Sequence, residues 1–316
     1  MKGGAPKGRG FVMRIQSDKI MIHEQKKNIR QIRWLIFWVM ISITVVTLAI
    51  DAVFSFLPRP TPNLNYIRMA VTHILAVFIP LIIFFKIRNP KSQKINFRLN
   101  KIPLNQILVI ILLAIAGQFI MAVLEVPMRM LLQNILNIPT VAPRNITELI
   151  FGILSIAILP VILEEILFRG VIFGGTENQS RAFALMFSMF AFALLHSNVF
   201  SFLGYIFLGI MTVMVMLRSN SLYAAIIFHF INNLTALMIQ YLSYMEVVNN
   251  QMVIWLFLGA VIVFILMIFI FKNITPNAEK SKSKNSMPLL LRNIFSIPII
   301  LCIIISVVMQ YFRFFT

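Results

Sequence analysis

Apolar runs of about 20 residues, each long enough to cross the hydrocarbon core of a bilayer, recur along almost the whole chain. They limit the fold strongly, because backbone N–H and C=O groups inside a membrane must hydrogen-bond to one another. A helix meets that requirement within one segment. The strands of a membrane barrel meet it between segments, but they would alternate apolar and polar residues. The sequence therefore predicts an all-α, polytopic transmembrane helical bundle.

The composition argues against two other classes of protein. Of the 316 residues, 59% are hydrophobic and only 10 are acidic, which is too few charges to cover a soluble domain of this length. A net charge of +18 is found in nucleic-acid-binding proteins, but Lys and Arg also collect in the cytoplasmic loops of membrane proteins. We therefore expect membrane lipids, and no nucleic acid, as partners. The single cysteine, Cys302, allows no intrachain disulfide.

The apolar runs divide into about eight or nine candidate spans. Their approximate bounds are 34–57, 66–86, 103–124, 148–173, 181–197, 200–217, 221–243, 252–271 and 289–312. The last of these is interrupted by Pro298, so its assignment as one span is the weakest. We divide the chain into a basic arm, N-terminal helices with an outer loop, a central helical core and C-terminal helices, at 1–33, 34–147, 148–243 and 244–316.

The distribution of positive charge predicts the orientation of the chain. With the N-terminus in the cytoplasm, the N-terminal arm and the inner loops hold 23 of the 28 Lys and Arg residues. This bias places the N-terminus inside and the C-terminus outside. Within this arm, residues 1–30 are expected to be disordered or to lie on the membrane surface. The expected location is a cell membrane, and the Ile-, Lys- and Asn-rich composition favours a bacterial plasma membrane.

Seven ionisable residues stand out within the predicted spans, where a charged side chain costs at least ~2.5–3.5 kcal/mol on insertion scales. They are Asp51, His73, Glu164, Glu165, Arg169, His196 and His229. Five of the seven lie between residues 164 and 229, on three neighbouring spans. Ionisable residues grouped in this way inside a membrane indicate a functional site.

Helical spacing separates the two adjacent carboxylates. Glu165 and Arg169 are four residues apart, so they share a helix face and can neutralise each other. Glu164 is rotated by ~100° from Glu165 and points elsewhere. One carboxylate is therefore expected to be structural and the other free to face a cavity. We expect this helix to continue until Gly174-Gly175 ends it.

The next spans carry two histidines at a similar depth. His196 lies one turn beyond Phe192, and His229 lies one turn before Asn233, so His229 and Asn233 can point at one place. A rise of ~1.5 Å per residue puts Glu164 and both imidazoles within ~10 Å of one depth. A carboxylate, two imidazoles and an amide gathered in this way are more than packing requires.

Single residues in this set also have ordinary explanations. A lone intramembrane histidine is more often an interhelical hydrogen-bond partner than a catalyst, which is our interpretation of His73. Asp51 lies near the outer end of its span, where an interfacial role fits. Glu165 and Arg169 could simply hold helices together, and an isolated Asn233 would be a common interhelical hydrogen-bonding residue.

Three segments together resemble the motifs of the CPBP family of intramembrane proteases. They are Glu164-Glu165-x-x-x-Arg169, Phe192-x-x-x-His196 and His229-x-x-x-Asn233. The family includes the type II CAAX prenyl endopeptidases and Abi-like bacterial relatives linked to bacteriocin processing or self-immunity. The resemblance covers about residues 148–240. It implies an intramembrane endopeptidase that cuts a membrane-associated peptide or protein.

The resemblance also implies a role for each residue, position by position. Glu164 would be the general base and hold a water together with His196. His229 and Asn233 would donate to the oxyanion of the tetrahedral intermediate. The residues implied to support them are Glu165, Arg169 and Phe192.

The sequence leaves the metal question open. The family has been described as metalloproteases, and Glu164, His196 and His229 are a reasonable set of zinc ligands. However, the chain has no His-Glu-x-x-His pair, and the ligands would come from three helices. A metal-free glutamate mechanism explains Asn233 equally well. We prefer that mechanism, in which no cofactor is required.

Two other functions remain as alternatives. A non-catalytic membrane scaffold or immunity protein of the same fold would be expected to lose at least one of the polar residues. A proton-coupled transporter could use a carboxylate–histidine relay, but the sequence shows no internal repeat of the kind common in transporters. Pro160 is the one feature that favours a transporter, and a kink there would equally open the cavity of a protease.

Overall fold

The structure, a computed structural model, describes residues 7–56, 61–88, 95–132, 142–248, 250–276 and 286–315. Every regular element in that part of the chain is a helix. The first three are α1 (Lys7–Ser55), α2 (Pro62–Ile87) and α3 (Leu104–Leu132). A composite helix follows, made of α4 (Ile146–Gly152), the π-helix π1 (Ile153–Ile158), α5 (Leu159–Glu165), the π-helix π2 (Ile166–Phe173) and α6 (Gly174–Thr176). The remainder are α7 (Arg181–Leu195), α8 (Phe202–Ser219), α9 (Leu222–Tyr244), α10 (Asn250–Ile274), α11 (Ser286–Ile294) and α12 (Ile297–Phe315).

The prediction of an all-α, polytopic membrane protein is confirmed. By length and composition, seven helical segments among the described residues could cross a membrane, and α11 with α12, bent by 63°, could form an eighth. The predicted span at 181–197 corresponds to α7, which is apolar but only 15 residues long. Such a helix measures about 22 Å, less than the ~30 Å hydrocarbon core. An outer loop was predicted after the span at 103–124. Part of it is helical, because α3 continues to Leu132.

The N-terminal arm differs from its prediction. Helix α1 begins at Lys7, so most of the segment 1–33 belongs to one long helix with the first apolar run. Ile32 is fully buried, and Asn28 Nδ2 donates a hydrogen bond to the carbonyl of Gly175 in α6. The expectation of a disordered or surface-lying arm is therefore wrong around Asn28 and Ile32, because this part of α1 packs on the composite helix. The first six residues lie outside the described part of the chain.

Loops that were predicted to share one side of the membrane meet at one end of the bundle. Arg98, before α3, forms an ion pair with Glu177, after α6. Asn100 Nδ2 donates to the carbonyl of Asn220, between α8 and α9, over 2.7 Å. These three connections therefore lie on the same side, as their positive charge predicted. Which side is cytoplasmic stays a prediction.

Glycines in the composite helix allow close packing. The helix runs past Arg169 and ends at Thr176, one residue after Gly175, so its predicted extent is confirmed, although no described glycine has the positive φ of a glycine cap. A Cβ atom on Gly174 would lie 2.9 Å from the backbone oxygen of Asn96. On Gly170 it would lie 2.5 Å from the ring of Phe97. The segment that precedes α3 thus lies directly against π2.

Candidate active site

Four helices bring one carboxylate and three imidazoles together. Glu164, in α5, has its Oε1 atom 2.8 Å from Nε2 of His73 in α2 and 3.7 Å from Nε2 of His196 at the end of α7. Its Oε2 atom lies 3.7 Å from Nε2 of His229 in α9. The first distance is that of a close ion pair, although His73 Nε2 has no hydrogen-bond partner of good geometry among the described residues. The other two are too long for a direct hydrogen bond. The structure therefore brings together three of the predicted residues and adds His73.

A cavity of about 190 Å³ lies beside Glu164. Its polar lining residues are Thr72, His73, Glu164 and His196, and its remaining walls are apolar side chains of α1, α2, π2 and α7. Mostly apolar walls with a few convergent polar groups are typical of sites that bind ligands. The carboxylate of Glu164 is only 6% exposed, whereas the imidazole of His73 is 30% exposed.

The ring of His196 is fixed by contacts on three sides. Its Nδ1 donates to the carbonyl of Phe192 over 2.7 Å, which leaves Nε2 directed toward Glu164. The ring also packs against Phe192 and Tyr205, with centroid distances of 4.4 and 4.1 Å. Phe192 lies edge-on to the ring of His229 as well, at 5.6 Å. Phe192, which was predicted to support the site, therefore contacts the imidazoles of both His196 and His229.

Glu165 links the site to a buried cation. Its Oε1 accepts a hydrogen bond from Nδ1 of His229 over 2.8 Å, and its Oε2 lies 3.1 Å from Nε of Arg169. Both members of this ion pair have side chains with no exposed surface, and Arg169 also donates to the hydroxyl of Thr212. The pair forms at the predicted spacing. It is not separate from the reactive group, however, because the same carboxylate orients His229.

Asn233 makes a contact that the sequence did not suggest. Its Nδ2 donates to the carbonyl of Ile156, in π1, over 3.2 Å. In an α-helix that carbonyl would accept from the N–H of residue 160, but Pro160 has no N–H. Asn233 therefore donates to a carbonyl that cannot accept the α-helical bond from residue 160, and it ties α9 to the helix that carries Glu164. Its role as a donor to the oxyanion stays a prediction.

Sequence reasoning missed His73, which lies outside the three motifs. It was expected to be an interhelical hydrogen-bond partner, and it does connect two helices, but its partner is Glu164 itself. The depth of His73 within its span was the signal that could have placed it in the site. At ~1.5 Å per residue His73 lies ~20 Å from Lys86 at the inner end of its span, which is within the depth range of the other site residues.

The distances around Glu164 can be compared with those of a zinc site. Ligand atoms lie ~2.0–2.2 Å from a tetrahedral zinc ion, so two of them are about 3.4 Å apart. The 3.7 Å separations of Glu164 from His196 and from His229 are near that value, whereas Glu164 and His73 are closer, at 2.8 Å. Among the described residues, no group of three or more His, Cys, Asp or Glu side chains is placed to hold a metal ion. The metal-free mechanism stays a prediction, and we derive the chemistry from the side chains alone.

Comparison with known proteins identifies the same part of the chain. Residues 146–235 match the model of a protein family described as type II CAAX prenyl endopeptidase Rce1-like. The matched segment contains all three motifs and confirms the family resemblance that they predicted. Searches of curated proteins and of solved structures found no match. His73 and the cavity walls formed by α1 and α2 lie outside the matched segment.

Proposed function

We propose that this multi-pass membrane protein with an Rce1-like segment is an intramembrane endopeptidase. Its substrate would be a peptide bond in a membrane-associated peptide or protein. One observation carries the proposal: the carboxylate of Glu164 faces the imidazoles of His196 and His229 beside a cavity. A positioned carboxylate with neighbouring imidazoles is suited to activate water as a general base.

In the proposed reaction, Glu164 and His196 hold the attacking water between them. Their 3.7 Å separation is too long for a direct hydrogen bond, but one molecule can bond to both atoms. Glu164 takes a proton from this water while the water oxygen attacks the carbonyl carbon of the peptide bond. The carboxyl group then returns the proton to the nitrogen as the C–N bond breaks. The products are a carboxylic acid and an amine.

His229 is proposed to stabilise the negative charge on the carbonyl oxygen. Its Nδ1 is held by Glu165, which leaves Nε2 as the ring atom that can act on substrate. A proton on Nε2 makes the ring a cation that lies beside the carboxylates of both Glu165 and Glu164. A pre-oriented donor of this kind can contribute about 10²–10³ to kcat. Asn233 is the second proposed donor, because its amide has two N–H groups and Ile156 accepts only one of them.

His73 is proposed to act through Glu164 as a positioning residue. At 2.8 Å from Oε1, its ring restricts the orientation of the carboxylate. A general base must be held within hydrogen-bond reach of the proton that it removes. In this proposal the site is therefore completed by α2 and does not consist of the matched segment alone.

The proposal is tested by removing the charge of Glu164 and searching for missing products. Membranes from cells that express the wild type, Glu164→Gln or the control Glu246→Gln are compared by mass spectrometry of protein N-termini. Glu246 is exposed, in the turn after α9, so its variant controls for the chemical change. We expect cleavage products with the wild type and the control, and a loss of about 10²–10⁴-fold with Glu164→Gln. Unchanged products in Glu164→Gln, at equal expression, would reject the endopeptidase and favour the non-catalytic scaffold.

The metal-free mechanism has its own test. Purified protein is stripped with a chelator, its metal content is measured, and cleavage of a product-derived peptide is followed. We expect full activity without metal. Activity that disappears on stripping and returns with zinc would overturn the metal-free mechanism and leave the endopeptidase proposal intact.

A further inference from the structure

A second cavity, of about 500 Å³, lies between α1, the turn that follows α6, and α11. We call it the basic cleft, because five of its lining residues are cationic and none is acidic. The cations are Lys26, Lys27, Arg30, Arg33 and Arg292, and the other lining residues are His23, Ile29, Gln179 and Asn293. It shares no lining residue with the cavity beside Glu164.

The positive charges of the basic cleft are uncompensated. Lys26, Arg30 and Arg33 are spaced by four and three residues, so they share one face of α1, where like charges destabilise a helix. Arg292 adds a further positive charge from α11. Within the part of the chain that the structure describes, none of the five cations takes part in an ion pair. An anion in the cleft would remove this repulsion.

A buried donor in the cleft also lacks a partner. The Nε atom of Arg33 is buried and has no hydrogen-bond partner among the described residues. Buried polar groups without partners are rare in folded proteins, since each costs the desolvation of a donor. The oxygen atoms of a phosphate are strong acceptors for guanidinium groups, which bind them through paired N–H donors. The cleft therefore has the charge that a phosphate requires, and it includes a guanidinium whose Nε no described acceptor holds.

The position of the cleft along α1 places it at the edge of the membrane. The first apolar run begins immediately after Arg33, at Trp34. The side chains of Trp34 and Trp38 are 40% and 56% exposed, and tryptophan is enriched at the level of the lipid headgroups. Basic pockets between membrane helices at this level are suited to anionic headgroups.

We propose that the basic cleft binds the phosphate of an anionic phospholipid headgroup. The lipid would bridge α1 and α11, so that its phosphate neutralises Arg33 and Arg292 together. This inference does not depend on peptidase activity. Inorganic phosphate has the same chemistry, and the experiment below separates the two sources.

The test measures which lipids the full-length protein retains. The protein is released from nanodiscs of equal phosphatidylglycerol and phosphatidylcholine and examined by native mass spectrometry. We expect selective retention of phosphatidylglycerol by the wild type. The triple variant Arg30→Gln, Arg33→Gln, Arg292→Gln should lose about 100-fold in this preference, because each Lys or Arg near an anionic surface contributes roughly five-fold.

A matched triple variant controls for net charge. Lys86→Gln, Lys101→Gln and Lys272→Gln remove three exposed charges outside the cleft and should change the preference by less than about five-fold. Arg292→Gln alone, at an exposed position, should weaken it by about five-fold without a risk to folding. Equal retention of both lipids by the wild type, or an unchanged preference in Arg292→Gln, would overturn the proposal. Equal retention combined with binding of millimolar inorganic phosphate would assign the cleft to free phosphate and overturn the lipid assignment.

Discussion

The imidazole of His73 and the carboxylate of Glu164 meet across two helices from different parts of the chain, with 2.8 Å between Nε2 and Oε1. Glu164 lies inside the Rce1-like segment, and His73 lies before it. The carboxylate that we propose as the general base thus contacts a side chain that the family comparison does not include.

Substitution of His73 should lower kcat more than it changes KM. In His73→Ala the carboxylate of Glu164 loses the ring that restricts it, and such misplacement costs up to about 100-fold in rate. His73→Gln keeps a donor and should retain more activity. Kinetics on a cleaved peptide, with a pH–rate profile, provide the measurement, because loss of a purely structural residue would not move the profile. Leu75→Ala, at an exposed position of α2, is the control, and wild-type kcat in His73→Ala would contradict the positioning role.

Glu165→Gln should destabilise the protein as well as inactivate it. The substitution leaves Arg169 as an unpaired charge with no exposed surface, and breaking a buried pair in this way costs about 3–5 kcal/mol. The measurement is the free energy of unfolding in a defined detergent. Asp51→Asn is the matched control, since its pair with Arg68 (2.5 Å) has side chains that are 47% and 37% exposed. Exposed pairs contribute at most about 1 kcal/mol, so equal losses in the two variants would refute our account of Glu165.

Asn233 and Pro160 should be coupled energetically. Asn233→Ala leaves the carbonyl of Ile156 without its side-chain donor, at a cost of about 1–3 kcal/mol. Pro160→Ala restores a backbone N–H at the position that this carbonyl would use in an α-helix. The cost of Asn233→Ala should therefore be smaller in the Pro160→Ala background, as measured by a double-mutant cycle.

The same cycle separates the two roles of Asn233. If the amide also donates to the oxyanion, the double variant regains stability but not activity. Additive stability losses would show that Asn233 does not compensate for the proline.

Gly170→Ala should destabilise the protein, whereas Gly259→Ala should not. A Cβ atom on Gly170 would lie 2.5 Å from the ring of Phe97, but on Gly259 it would meet nothing within 4 Å. Overpacking of this kind costs about 1–3 kcal/mol, while an unhindered Gly→Ala change in a helix gains up to about 1 kcal/mol. Thermal unfolding of both variants tests this difference. Phe97→Leu should partly rescue Gly170→Ala, and failure of that rescue would point to another contact.

The fold and the three motifs could be predicted because both depend on local patterns. Apolar runs determine helices in a membrane, and the depths of Glu164, His196 and His229 agreed well enough to predict that they meet. His73 could not be assigned in this way, since its partner depends on how α2 packs against α5. The contact of Asn233 depends on a carbonyl that is freed by the local geometry around Pro160. Likewise, the burial of Ile32 and the contact of Asn28 with Gly175 depend on the composite helix, which lies far along the chain.

The two π-helices that flank Glu164 and Glu165 affect how this region should be aligned with other chains. In π1 and π2 the backbone bonds span five residues instead of four, so each turn holds an extra residue. Loss of one residue from either segment would restore an α-helix without breaking the span, and the residues beyond that point would keep nearly the same face. Gaps in an alignment therefore belong inside this membrane helix, at 153–158 or 166–173, where standard practice would exclude them. A homologue compared without such gaps would have its Glu pair or its Arg assigned to the wrong face.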